Sequence, residues 1–292
     1  MAAGTGARPF VSGRGVAVRG EMAGGGAPIV LCHGLTATRG SVVHGSRRLE
    51  RGGFATIAYD ARGHGESDPA PATAGYGYPE LVADLAAVID DQVGKGPVVL
   101  AGHSMGAHTA VSFALRSPDR VRALIAIGPT YVGTRAPFPA DGAGNGTRVA
   151  ESSLSYWDEL AEALERDGID GFVDYVLGAQ EIATPWRDSV RRFTRERMER
   201  HRHLDAIVRA LREVPRSQPF AELEELETLA PPTLVVASHD ASDPGHPYAI
   251  AAEYARRIPG ARLISEAEGQ SPLAWQGGRL SREIENFCRE LQ

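Results

Sequence analysis

Gly102-His103-Ser104-Met105-Gly106 holds a serine between two glycines, directly after the apolar run 97–101 and directly before a stretch of helical spacing. That context puts Ser104 on a sharp strand-to-helix turn. Such a turn forces the serine backbone into a strained conformation, while the glycines let strand and helix approach closely. Together they lift the hydroxyl clear of the sheet. The chemistry expected of a serine so presented is nucleophilic attack on an acyl carbon. Acyl transfer also needs donors for a developing oxyanion. The loop Leu31-Cys32-His33-Gly34-Leu35-Thr36 follows another apolar run, and its Leu35 N–H, with the N–H of Met105, is the expected pair. His33 reads as a structural histidine that orders this loop.

These groups need a frame. Short apolar runs at 16–19, 28–32, 55–58, 97–101, 123–127, 233–237 and 262–265 are bounded by Gly, Pro or Asp. They alternate with amphipathic stretches at 46–51, 80–92, 105–116, 247–257 and 280–290. The pattern predicts an α/β fold, a mostly parallel doubly wound sheet joined by crossover helices. The alternation breaks between residues 134 and 219, where a Gly-rich loop (141–147) precedes several charged helical stretches. A helical insertion in such a sheet is expected over the carboxyl ends of the strands, where ligands bind. The organisation expected is therefore core 1–133, helical cap 134–219 and core 220–292.

Composition narrows the function classes. With 292 residues, 42% hydrophobic, the chain is long enough to bury a full core, and its formal charge of -6 argues against nucleic acid as a partner. No run approaches the length of a membrane span, and residues 1–15, rich in Gly and Ala, lack the apolar core of a signal peptide. The expectation is a cytoplasmic protein acting on a small molecule. Cys32 and Cys288 make no disulfide framework and read as core thiols. Neither a nucleotide-binding glycine loop nor a cofactor lysine motif is present, so no organic cofactor is expected.

After the run 55–59 comes Asp60-Ala61-Arg62-Gly63-His64-Gly65-Glu66-Ser67-Asp68. Taken with the His33-Gly34 loop, the turn at Ser104 and the run 232–237 leading to Asp240, it makes the chain resemble the α/β-hydrolase superfamily, in its capped, serine-nucleophile branch. The resemblance spans most of the chain outside the insertion. It implies that 60–68 is a structural turn, with Asp60 and His64 outside the chemistry. It also implies an acid after the penultimate strand, where Asp240 falls, with Asp243 the competing choice, to hold a histidine tautomer. The family's general base belongs after the last strand in a Gly-His pair, but the sequence there is Glu266-Ala267-Glu268-Gly269-Gln270-Ser271-Pro272. Gln270 stands in the histidine's place, and a neutral amide cannot take the serine proton.

His246, on the loop that begins at the acid position, is the expected substitute if that loop turns back over the pocket. His108, one helical turn after Ser104, and Glu268 are the alternatives. The expected catalytic set is then Ser104, Asp240 and His246, with Leu35 and Met105 as oxyanion donors. A weakly catalytic small-molecule binder, or a lyase or acyl-transfer enzyme using the same pocket, are the rival readings. His239, Asp240, Asp243 and His246 crowd four ligand-type residues into eight positions, but their spacing matches no strong zinc pattern and no metal is expected. The basic stretch 187–197, with interspersed acids, reads as a solvated helix face. Trp157, Trp186 and Trp275 fit either pocket walls or ordinary packing.

Overall fold

β1 (Arg8–Phe10), β2 (Val18–Gly24), β3 (Ala27–Cys32), β4 (Phe54–Tyr59), β5 (Val98–His103), β6 (Val121–Ile127), β7 (Thr233–Val236) and β8 (Arg262–Ile264) form one sheet, ordered β1-β2-β4-β3-β5-β6-β7-β8. β2 pairs antiparallel with both β1 and β4, and every pairing from β4 to β8 is parallel. The structure is a computed structural model and describes residues 8–10, 15–133, 146–179, 182, 184–239, 243 and 245–291. The mostly parallel α/β sheet expected from the alternating runs is present. β1 was not anticipated: its three residues, Arg-Pro-Phe, carry no alternation, and Pro9 is tolerated because β1 is an edge strand.

The central strands are apolar throughout because both sheet faces are covered. Along β3, Val30 and Cys32 face one apolar cluster with residues of α2 (Tyr78–Gln92), α3 (Met105–Arg116) and α7 (Tyr248–Arg257). Ile29 and Leu31 face the other, with residues of α1 (Arg48–Arg51) and α8 (Gly277–Glu290). Cys32 and Cys288 are both buried free thiols, and burial pushes them up to about 12 and about 11.

Between β6 and β7 lie α4 (Gly146–Ala179), α5 (Thr184–Met198) and α6 (Leu204–Glu213). Of the Gly-rich loop expected at 141–147, residues 141–145 lie outside the described residues, and Gly146 and Thr147 open α4. α4 is broken at Gly168, whose φ of 65° and ψ of -150° only glycine adopts readily. The helices share a small core of their own, including Leu160, Phe172, Met198 and Leu211. α6 adds Ala206 and Ala210 to a cluster with Tyr76 and Met105 of the main body. His201 makes a polar tie: its Nδ1 accepts the Gly65 N–H at 2.8 Å, and its Nε2–H donates to the Thr36 carbonyl at 2.9 Å.

The turn after β4 is stapled by buried pairs. Asp60 pairs with Arg39 and accepts the Glu66 N–H at 3.0 Å. Arg62, fully buried, grips Asp84 of α2 with two hydrogen bonds of 2.7 and 2.8 Å and donates to the Gly75 carbonyl at 2.9 Å. Removing one partner of such a pair strands a charge in a dry interior. Asp84→Ala is expected to cost about 3–5 kcal/mol, read as a lower urea midpoint. A midpoint unchanged from the parent protein would show that Arg62 finds other compensation.

Candidate active site

Ser104 joins β5 to α3 at φ 51° and ψ -115°, a region that non-glycine residues avoid. What holds it there is local. The Ser104 N–H donates to the Ile127 carbonyl at the end of β6 (2.9 Å), and its carbonyl accepts the His108 N–H (3.0 Å). The two glycines are sterically required: a Cβ on Gly102 would lie 2.2 Å from the Gly106 carbonyl oxygen, and one on Gly106 would lie 2.1 Å from that of Cys32. Met105 is the first residue of α3, so its N–H has no acceptor within the helix. The Leu35 loop abuts this turn, since a Cβ on Gly34 would stand 3.4 Å from Ser104 Cβ. His33 pins that loop by accepting the Ala61 N–H on Nε2 (2.8 Å) and donating from Nδ1 to the Gly34 carbonyl (2.8 Å).

The loop before α7 brings a histidine to the same place. The His246 N–H donates to the Asp243 carbonyl at 3.1 Å, closing a turn that lays His246 Nδ1 against Asp243 Oδ1 at 2.7 Å. A carboxylate only accepts, so Nδ1 carries the proton and Nε2 holds the lone pair of the neutral ring. The His246 ring lies over Gly128, next to the residue whose carbonyl receives the Ser104 N–H: a Cβ on Gly128 would be 3.2 Å from its Cδ2. It also tilts against the His103 ring, centroids 4.8 Å apart. Burial works to raise the Asp243 carboxyl, but His246, its hydrogen bond, His103 and Arg197 outweigh it and hold the group below its ordinary range. Asp240 lies outside the described residues.

The other candidate bases are placed elsewhere. His108 accepts the Thr130 and Tyr131 N–H groups on Nε2 (2.9 and 3.1 Å) and donates from Nδ1 to the Tyr78 hydroxyl (2.8 Å), so both ring nitrogens are spent on structure. Gln270 and Glu268 are exposed on the turn after β8, where the Gln270 amide oxygen accepts from Arg279 at 3.3 Å. His239 stacks on Tyr248 and reaches Ser265. The compact donor set among the described residues is therefore His103, Asp243 and His246, whose nitrogens and oxygens lie within 4.8 Å of one another. Two of these three already satisfy each other.

A cavity of about 480 Å³ opens over these groups, with Leu35, His103, Ser104, Asp243 and His246 at one end. Its wall on the α4–α5 side is apolar and aromatic, including Trp157, Leu160, Phe172, Val176 and Phe193, with Trp275 facing them. Of the tryptophans, Trp157 and Trp275 line it, whereas Trp186 packs against Val173, Leu177 and Val190. One feature departs from the solvated face expected for 187–197: Arg197 lines the cavity, with its Nε buried. Helical spacing explains it, because Val190, Thr194 and Arg197 fall at i, i+4 and i+7 on one face.

No helix among the described residues is long and apolar enough to cross a membrane. The chain is similar to epoxide hydrolase 2 of Siraitia grosvenorii, at 35% identity over 39% of this chain and 36% of that protein. It is also similar to a 2-(acetamidomethylene)succinate hydrolase of Mesorhizobium japonicum, at 39% identity over 39% of this chain and 40% of the relative. These matches span about two fifths or less of the relatives' length. A thermophilic esterase from Thermogutta terrifontis superposes with a TM-score of 0.75 at 20% identity, over 98% of this chain and 99% of that one, which speaks to fold. The family described as alpha/beta hydrolase fold matches residues 27–276. With sheet order, the turn at Ser104 and a match over most of its length in agreement, the chain belongs to the alpha/beta hydrolase fold family.

Proposed function

We propose that the protein is a serine hydrolase that cleaves a small carboxylic ester, lactone or thioester through an acyl-enzyme. The observation that carries this reading is the hydrogen-bonded Asp243–His246 pair at the Ser104 end of one cavity. In the reading, His246 Nε2 takes the Ser104 proton as Oγ attacks the acyl carbon. Asp243, in the place expected for Asp240, fixes the Nδ1–H tautomer and steadies the imidazolium. The Leu35 and Met105 N–H groups receive the oxyanion, and His246 returns the proton to the leaving oxygen or sulfur. Water then repeats the sequence on the acyl-enzyme.

Gln270 occupies the position where the family keeps its histidine, and the base has moved to the loop after β7. Residues 134–219 act as a cap whose apolar wall seats the acyl body and excludes water. Both sequence relatives are named as hydrolases, which supports water as the second reactant.

Intact mass after fluorophosphonate treatment tests the assignment. One adduct is expected on the parent protein, none on Ser104→Ala and a strongly slowed adduct on His246→Ala. A folded parent protein that takes no adduct would favour a ligand-binding member of the fold instead.

A further inference from the structure

The Arg197 side chain brings a cation to the cavity wall. Among the described residues its Nε is buried without a hydrogen-bond partner, and no carboxylate lies within ion-pair distance of its guanidinium. Tyr156 and Asp243 favour its charge, but the Asp243 carboxylate already holds His246. Desolvation works against the charge, yet an arginine stays protonated in proteins. Much of the neighbouring wall, Leu160, Phe172, Val176 and Phe193, is apolar and offers it no counter-charge. A cation partly withdrawn from water without an ion-pair partner is costly, and a ligand carboxylate can supply the missing counter-charge. On its other side Arg197 borders a side chamber of about 370 Å³ that also holds Phe193, Glu196 and the exposed Arg200.

We propose that Arg197 is the carboxylate-binding residue of the substrate site, so that the substrate is an amphipathic acid. Its carboxylate is held by the guanidinium, its apolar body lies on the α4–α5 wall, and its ester, lactone or thioester carbonyl faces Ser104. The inference rests on the proposed reading of this cavity as the substrate site. The planar guanidinium fork matches a carboxylate with two parallel hydrogen bonds, which a lysine cannot reproduce. A substrate without the anion would leave the cation buried and orphaned, so discrimination operates against neutral analogues as well as in favour of acids.

The test compares mono-4-nitrophenyl adipate with 4-nitrophenyl hexanoate, which differ in the terminal carboxylate. The parent protein is expected to prefer the adipate ester. In Arg197→Met the adipate-to-hexanoate ratio of kcat/KM should fall by on the order of 100-fold, carried mainly by KM, with Arg197→Lys intermediate. An unchanged ratio in Arg197→Met would overturn the proposal. A second readout does not need turnover: 6-phenylhexanoate should raise the Tm of the parent protein and not that of Arg197→Met, whereas 6-phenylhexanol should not separate the two. If neither ester is hydrolysed but the carboxylate still stabilises only the parent protein, the hydrolase reading fails and the anion site stands. Equal shifts in both proteins would remove the anion site whatever the esters do. Arg197→Met should also match or exceed the parent protein in ligand-free Tm, because it removes a half-buried charge that has no ion pair among the described residues; a marked fall would mean that Arg197 is structural.

Discussion

Ser104→Ala is expected to lower ester turnover by roughly 10⁴- to 10⁶-fold while leaving the protein folded. Alanine meets the same backbone demand at φ 51° that serine does, and neither bond that holds the turn uses the hydroxyl: the Ser104 N–H and carbonyl make them. What the change removes is the only protein atom in the proposed mechanism that bonds to the acyl carbon. The residual rate would come from the oxyanion donors and substrate binding, which sustain about 10³–10⁴-fold over water in serine hydrolases stripped of their triad. His246→Ala should fall into the same range, and the double variant should be little worse than either single one, because nucleophile and base act as a unit. Gln270→His should give no gain, since its side chain sits in solvent beside Arg279 and away from the cavity. Steady-state rates on an activated ester decide the matter. Turnover retained in Ser104→Ala would sink the nucleophile assignment, and a His246→Ala rate within about tenfold of the parent protein would sink the base.

The strand-to-helix turn at Ser104 is legible from sequence because everything that builds it is local: an apolar run, two glycines four residues apart and a helical pattern lie end to end between 97 and 116. The sheet is legible for the same reason, since runs buried on both faces need no partner to be seen. The Asp243–His246 hydrogen bond is a different kind of fact. Whether His246 meets Asp243 depends on a turn closed by one backbone hydrogen bond, which spacing does not show, and so Asp243 stands there only as the competitor to Asp240. The side-chain environment of Gln270 is likewise three-dimensional, because an exposed turn and a pocket rim can carry the same residues. Arg197 hides for a simpler reason: charge counting over 187–197 averages two helix faces, and only the period of the apolar positions Val190 and Phe193 separates them. β1 is too short to carry any period.

Acid is expected to unfold the protein cooperatively as pH falls from 6 to 4, through histidines rather than carboxylates. Burial, as the leading cause, holds five rings far below their ordinary value: His33 at about 4, and His64, His103, His108 and His201 at about 3. Mutual repulsion adds to it, as between His33 and His64, whose rings are 5.2 Å apart. Three of these rings use a nitrogen as acceptor for a backbone N–H: His33 from Ala61, His108 from Thr130 and Tyr131, and His201 from Gly65. A protonated ring has no lone pair to accept with, so protonation breaks the very bonds that order the Leu35 loop and tie the α4–α6 insertion to the sheet. The sign follows from linkage. The unfolded chain binds these protons near pH 6.5 and the folded one only near 3 to 4, so stability is whole above 6.5 and drains away as pH falls through that window. Each ring costs about 2 kcal/mol between pH 7 and 5, and the set on the order of 5–10 kcal/mol, which is comparable to the whole stability of a typical domain. Urea midpoints followed by tryptophan fluorescence at pH 7, 6 and 5 should therefore drop steeply, and a flat series would show that the rings are not held neutral. His64→Leu isolates one proton: its Nε2 is buried without a partner among the described residues, so the variant should lose about one proton's worth of slope while the remaining rings keep theirs.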